Sequence, residues 1–265
     1  MLWDTHIHSN FSHDGKASLE TMVNAAIQKN LAGICFTEHL DVLNPEDGAS
    51  FPLDLSTYLK KCHNLSKTPS FSVCTGIEFS IHTSLSIHLQ QIADSHVFDF
   101  IIGSHHNIQK PNFDDTPFDT YKFEKQMYEN HFLDMLESVK TIDCFDVLGH
   151  IDYVVRYGPN QNKYYSYKKY SDIIDEILQV LIYKGKGIEI NTSGFRYCLG
   201  QPHPTDAIIK RYHELGGEII TIGSDGHTPE DIAYYFEKVP DILKNAGFKY
   251  FTVFKKRKPE FWKLV

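Results

Sequence analysis

Aspartate, glutamate and histidine recur where the short apolar runs of this chain end. His6 and His8 follow "LWDT", Glu38 and His39 follow "GICFT", Glu78 sits in "GIEFS", His105 and His106 close "IIGSHH", His150 lies in "VLGHI", and Asp225 and His227 end "IGSDGH". Asn191 ends a further run, "GIEIN", and Asp14 lies in the turn "SHDG". Imidazole and carboxylate are donors for zinc, iron or manganese, and a set without thiolates suits a catalytic metal site better than a structural one. There are enough of them for more than one ion. Two or three ions close together serve phosphoester hydrolysis: they make hydroxide available at neutral pH, bind phosphoryl oxygens and neutralise charge on the attacking and leaving oxygens. A carboxylate such as Glu78 has two oxygens and can bridge two ions, which an imidazole cannot. Each pair alone is weak evidence; their recurrence at the same end of successive runs carries the reading.

Those residues need a scaffold that brings strand ends together. In "LWDTHIH" a strand would turn Asp4, His6 and His8 to one face. Further strands are expected at 33–37, 71–80, 98–106, 145–151, 185–193 and 217–225, with helices at 18–30, 121–139, 169–184, 204–215 and 229–246. Ser18 and Thr228 read as N-caps, with Pro229 at the first helical position, and Gly216 and Gly247 as helix ends. Strands alternating with helices imply a parallel sheet, and seven or eight such units imply a closed barrel with its site at the C-terminal strand ends. The loop at 107–120 and the segment at 156–168 are candidates for covering a substrate. No internal repeat or low-complexity segment appears.

The chain has 265 residues and 42% hydrophobic content, enough for one domain spanning 1–265 with a full core. A net charge of -8 argues against a general binder of nucleic acid or membrane surfaces. The basic run "KKRKPEFWK" at 255–263 reads as a solvated tail. No apolar stretch spans a bilayer and the first residues do not resemble a signal peptide, so a cytoplasmic location is expected. Five scattered cysteines without a CxxC suggest neither a disulfide framework nor a thiolate zinc site; Cys35 and Cys74 read as core. Of the 15 histidines, His13, His63, His88, His96, His131 and His213 are assigned to surface or packing, and His82 and His203 stay unassigned.

In order, "DTHIHSNFSHDG", "FTEHLD", "GIEFS", "IIGSHH", "VLGHID" and "IGSDGH" resemble the motif set of the PHP (polymerase and histidinol phosphatase) superfamily. The length and "EINTSGFR" at 189–196 resemble its histidinol-phosphate phosphatases. The resemblance implies an α/β fold, a distorted (β/α)7 TIM-like barrel, and a site for three divalent ions, zinc, iron or manganese. It implies that His6, His8, Glu78 and Asp225 hold one ion, that Glu78 bridges to a second held by His106 and His150, and that Asp14, His39 and His227 hold the third. Asp4 resembles the family's outer aspartate, orienting an imidazole through its other N–H, with Glu38 and Asp152 in similar parts.

The implied reaction is hydrolysis of L-histidinol phosphate to L-histidinol and phosphate, a step of histidine biosynthesis, by direct attack of a metal-bridging hydroxide. An acidic chain must meet a phosphate's charge locally, and only Arg156, Arg196, Arg211 and Arg257 exist. Arg156 and Arg196 follow strand ends, and Arg196 with Asn191 resembles the phosphate-recognition element. Asp225 and Glu78 serve the catalytic ions, and His82 and Asp152 are candidates to protonate the leaving group. Phe79, Phe113, Tyr157 and Phe195 are candidates to line a histidinol pocket. Alternatives are another PHP phosphoesterase (a nucleotide phosphatase or exonuclease), an amidohydrolase, which lacks support because no strand-end lysine is seen, or a non-catalytic metal-binding module. Alternation puts His105 on the opposite face from His106. A His106→Ala variant should lose metal and phosphatase activity while His105→Ala keeps most of both, checked by elemental analysis beside phosphate release.

Overall fold

The computed structural model describes residues 1–41, 53–67, 71–108 and 120–264. In chain order these form β1 (Trp3–Ile7), α1 (Leu19–Gln28), β2 (Gly33–Phe36), β3 (His39–Leu40), α2 (Leu55–Leu65), β4 (Ser72–Ser80), α3 (Ser86–Ser95), β5 (Phe100–Ser104), α4 (Thr120–Thr141), β6 (Val147–Leu148), α5 (Ser171–Tyr183), β7 (Gly187–Asn191), α6 (Ser193–Arg196), α7 (Asp206–Glu214), β8 (Ile220–Gly223), α8 (Val239–Ala246), β9 (Tyr250–Lys255) and β10 (Lys258–Lys263).

Seven strands pair in the order β1-β2-β4-β5-β6-β7-β8, all parallel. The circle is drawn shut where Ile7 bridges Gly226, with Asp225 N–H donating to His6 C=O at 2.8 Å and His8 N–H to Gly226 C=O at 2.9 Å. This is the distorted seven-stranded barrel expected from the sequence. Strands such as "GICF" and "FIIGS" are buried throughout, because the barrel fills one face and helices cover the other. On α5 the buried residues Ile174, Ile177, Leu178 and Leu181 follow the helical period and turn one stripe to the barrel. β3 stands off the circle and pairs only with β4, which sets His39 opposite Glu78.

Several local expectations hold in detail. The Ser18 side chain accepts the Thr21 N–H at the start of α1, and Gly247, at φ 106°, ends α8 in the left-handed region that glycine enters without cost. Others do not. α2 and α3 fill stretches in which the sequence reading placed no helix. Residues 229–235 are not helical, and 236–238 make only a single 3-10 turn. Thr228 Oγ1 donates to Asp231, and Ala233 and Tyr235 take left-handed backbone (φ 51° and 57°), so the helix begins only at Val239. Among the described residues no helix is long and apolar enough to cross a membrane.

The run at 255–263 keeps most of its side chains exposed, as expected of a solvated segment, but it is not a free tail. β9 and β10 form an antiparallel hairpin in which Trp262 meets Trp3 edge-on at 5.7 Å. At its turn, Arg257 Nε donates to Asp146 Oδ2 at 2.6 Å and Nη2 to Cys144 C=O at 3.0 Å, while Asp146 also accepts the Ile101 N–H at 2.8 Å. The hairpin thus seals the N-terminal strand ends, opposite the histidine-bearing ends. Arg257→Ala would leave a mostly buried carboxylate short of its cationic partner. Stability should fall by about 1.5–3 kcal/mol, read as a lower denaturant midpoint; an unchanged midpoint would show that the contact contributes nothing.

Candidate metal centre

Because all seven barrel strands are parallel, the residues after each one meet at one end. There the Glu78 carboxylate, fully buried, is the hub. Its Oε2 lies 2.8 Å from His39 Nδ1, 3.3 Å from His6 Nε2 and 3.6 Å from His8 Nε2; its Oε1 lies 3.0 Å from His150 Nε2 and 3.2 Å from His106 Nε2. Asp225 Oδ1 is 3.3 Å from His8 Nε2 and 3.7 Å from both His6 Nε2 and His227 Nδ1. Asp14, the most exposed of the set, reaches His227 Nε2 at 3.1 Å and His39 Nε2 at 3.7 Å. All nine side chains singled out as metal ligands therefore face one another.

The hydrogen bonds on the far side of the rings define which nitrogens face the centre. Ser12 Oγ donates to Glu38 at 2.6 Å, so towards His8 Nδ1, 3.2 Å away, it acts as acceptor. His6 Nδ1 lies 2.7 Å from Glu189, His106 Nδ1 3.4 Å from Asp41 and His227 Nδ1 2.9 Å from the Asp225 carbonyl. With Nδ1–H donated outwards, Nε2 is the nitrogen each of these rings has left to give a cation. Two pairs of Nε2 atoms, His106 with His150 and His39 with His227, stand 3.4 Å apart. His6 Nε2, His8 Nε2, His39 Nδ1 and Glu78 Oε2 are buried with no hydrogen-bond partner. Buried acceptors turned on one another are costly unless a cation lies between them, so the donor set fits divalent metal. Among the described residues five groups of three donors come within metal-sharing distance, including Glu78–His106–His150 and His6–His8–Glu78.

The electrostatics show how tightly these groups are coupled. Burial raises the Glu78 carboxyl, but the charges of His6, His106 and His39 outweigh it and hold it well below the usual range. Burial likewise lowers the His106 imidazole, yet Glu78 and Asp41 lift it to about 10. His8, buried among His39 and His227, is driven down.

A cavity of about 530 Å³ opens above the cluster, and Arg156, Arg196, Tyr153, Tyr157 and Tyr197 line it. The Arg156 guanidinium lies over the rings of Tyr153 at 4.0 Å and Tyr197 at 4.2 Å and donates to the Tyr157 hydroxyl at 2.7 Å. Arg196 is held by the carbonyls of Ser224 (3.2 Å) and Asp225 (2.7 Å) and faces Asp231 at 3.7 Å. Both arginines thus present charge to the cavity from fixed positions.

Other candidates are placed elsewhere. Asn191 is fully buried and supports its neighbours: its side chain donates to Glu189 and accepts from Ser193. Asp152 is buried against His203 Nδ1 (2.6 Å) and the Thr205 N–H, and His82 caps a turn through Ser84; neither lines the cavity, so neither is positioned to protonate a leaving group. Asp4 orients no imidazole. It accepts from the Ser224 and Ala233 backbone and the Ser224 hydroxyl, and burial lifts its carboxyl to about 6. Phe79 is core and Phe195 stacks on Tyr235, while Phe113 and most of the 107–120 loop lie outside the described residues. His13, assigned to the surface, lines the cavity 5.6 Å from the His39 ring. His105 is buried against His131 and the Ile81 carbonyl, away from the cluster, as alternation required. Asp41, Glu189, Tyr153 and Tyr197 went unread. Glu189 alone carried a signal, a carboxylate inside a buried strand two residues before Asn191.

Residues 4–193 match the PHP domain. A histidinol-phosphatase of Lactococcus lactis is 33% identical over 254 residues, covering 95% of this chain and 93% of its own. A Clostridium acetobutylicum protein named "Probable histidinol-phosphatase" is 33% identical over 252 residues, covering 94% and 95%. The crystal structure of a Lactococcus lactis histidinol phosphate phosphatase, complexed with zinc, L-histidinol and phosphate, shares the fold with a TM-score of 0.86, 31% identity and 98% coverage of both chains. With its motifs gathered at one end of a seven-stranded barrel and one-third identity over nearly its whole length, the chain belongs to the PHP family.

Proposed function

We propose that this chain is a metal-dependent phosphomonoesterase that hydrolyses L-histidinol phosphate to L-histidinol and phosphate, in histidine biosynthesis. The observation that carries the reading is a cavity lined by His39, His106, His150, Asp225 and His227 and by two arginines, set over imidazole and carboxylate donors that are buried with no hydrogen-bond partner among the described residues. The 31%-identical structure complexed with zinc, L-histidinol and phosphate supports the choice of substrate. Three ions would be held by His6, His8, Glu78 and Asp225, by Glu78, His106 and His150, and by Asp14, His39 and His227. When bound, such ions lower the pKa of water to make a nucleophile and neutralise phosphoryl charge. Arg156 and Arg196 bind the phosphate, which brings about -1.5 to -2 charges, and stabilise the charge that develops as the bond to the alcohol breaks. Tyr153, Tyr157 and Tyr197 offer ring surface on which an imidazole can stack. Five unpaired cysteines, four of them buried, fit a reducing compartment such as the cytoplasm.

Two outcomes follow. Chelation should abolish phosphate release from histidinol phosphate and lower the thermal midpoint, and zinc, manganese or iron should restore both, since a ligand at 100 times its Kd adds about 2.7 kcal/mol; activity that survives metal removal would refute the reading. Arg196→Ala should reduce kcat/KM for histidinol phosphate by about 10²-fold or more while metal content is kept, and a rate equal to wild type would remove the arginine from phosphate recognition.

A further inference from the structure

Glu189 is a fully buried carboxylate that the reaction proposed above does not use. Its Oε1 lies 2.7 Å from His6 Nδ1, and its Oε2 accepts the His150 N–H at 3.1 Å and an Asn191 amide hydrogen at 3.0 Å. One neighbour is shaped around it: a Cβ on Gly223 would fall 2.2 Å from Glu189 Oε1. Among the described residues no lysine or arginine pairs with it; its ionic partner is His6.

A carboxylate only accepts hydrogen bonds, so every atom facing it must donate. His6 therefore carries a proton on Nδ1, which leaves Nε2, 3.3 Å from Glu78 Oε2 and buried with no hydrogen-bond partner among the described residues, as the nitrogen that would give its lone pair to a cation. The second oxygen fixes the backbone of His150 just after the neighbouring strand β6, and with it the origin of that imidazole. Through Asn191, whose Oδ1 accepts the Ser193 N–H at 3.0 Å and hydroxyl at 2.6 Å, the same group steadies the turn that carries Arg196.

We propose that Glu189 is a positioning residue: it fixes the tautomer of His6 and holds His6, His150 and the Arg196 turn in one register. This rests on the metal-dependent reading of the site. Glutamine at 189 keeps the shape but cannot satisfy the same partners. With its oxygen towards His6, its amide hydrogens meet the donors of His150 and Asn191; flipped, it favours the His6 tautomer protonated on Nε2, which cannot ligate through that atom.

The test combines zinc binding with nitrogen-15 NMR of the histidines in the zinc-loaded protein. Wild type should show His6 with a protonated Nδ1. Glu189→Gln, folded by circular dichroism, should bind zinc about 10–100-fold more weakly in chelator competition and lose the single His6 tautomer. An unprotonated His6 Nδ1 in wild type, or Glu189→Gln that binds zinc as tightly as wild type, would overturn the proposal; if the variant does not fold, the wild-type spectrum decides. Histidinol phosphate turnover by wild type is measured alongside. Zinc-loaded wild type that releases no phosphate removes the proposed function and leaves the role of Glu189 standing, whereas a tight-binding Glu189→Gln beside an active wild type removes only that role.

Discussion

One carboxylate, Glu78, sets the terms for the molecule. Moving an ionised carboxylate out of water costs several kcal/mol, and it is tolerated only where opposite charge and hydrogen bonds replace the lost hydration. Among the described residues Glu78 has no backbone donor or arginine for this; it has five imidazole nitrogens within 3.6 Å. Those imidazoles come from β1, from the loop and short strand after β2, and from the ends of β5 and β6, so satisfying one buried group requires much of the barrel to be in register. The outward hydrogen bonds of His6, His8, His106 and His227 extend the same requirement one layer further, to Glu189, Ser12, Asp41 and the backbone after β8.

The cavity reconciles an acidic chain with an anionic ligand. A net charge of -8 repels phosphate at a distance. Close in, the carboxylates of the cluster are surrounded by imidazoles, and the guanidinium of Arg156 is held against tyrosine rings with no carboxylate partner among the described residues. Stacking on aromatic faces fixes an arginine without neutralising it, so its charge stays available to a ligand.

The barrel and the nine clustered side chains were legible because both follow from period and position: apolar runs mark strands, parallel order puts their ends together, and polar residues at those ends have no structural reason to be imidazoles. What was not legible depends on packing across the chain. Asp4 shares the alternation of His6 and His8, yet two backbone N–H groups of the loop after β8 claim its carboxylate, a contact 220 residues distant. His13 reads as a turn residue until the loop folds over His39. The basic run at 255–263 reads as a free tail because Asp146, which receives Arg257, lies 111 residues away. The Thr228–Pro229 signal is a sound helix start whose helix is postponed by the two left-handed residues that direct Ala233 N–H to Asp4.

The seam between β1 and β8 bears on biosynthesis. His6 and His8 are made first, but Asp225 and His227 reach them only when the last barrel strand docks and Asp225 N–H finds the His6 carbonyl. A chain still emerging from the ribosome would therefore offer a cation the donors up to His150 but neither Asp225 nor His227. Full loading has to wait until translation has passed residue 227, which ties metal uptake to a finished fold.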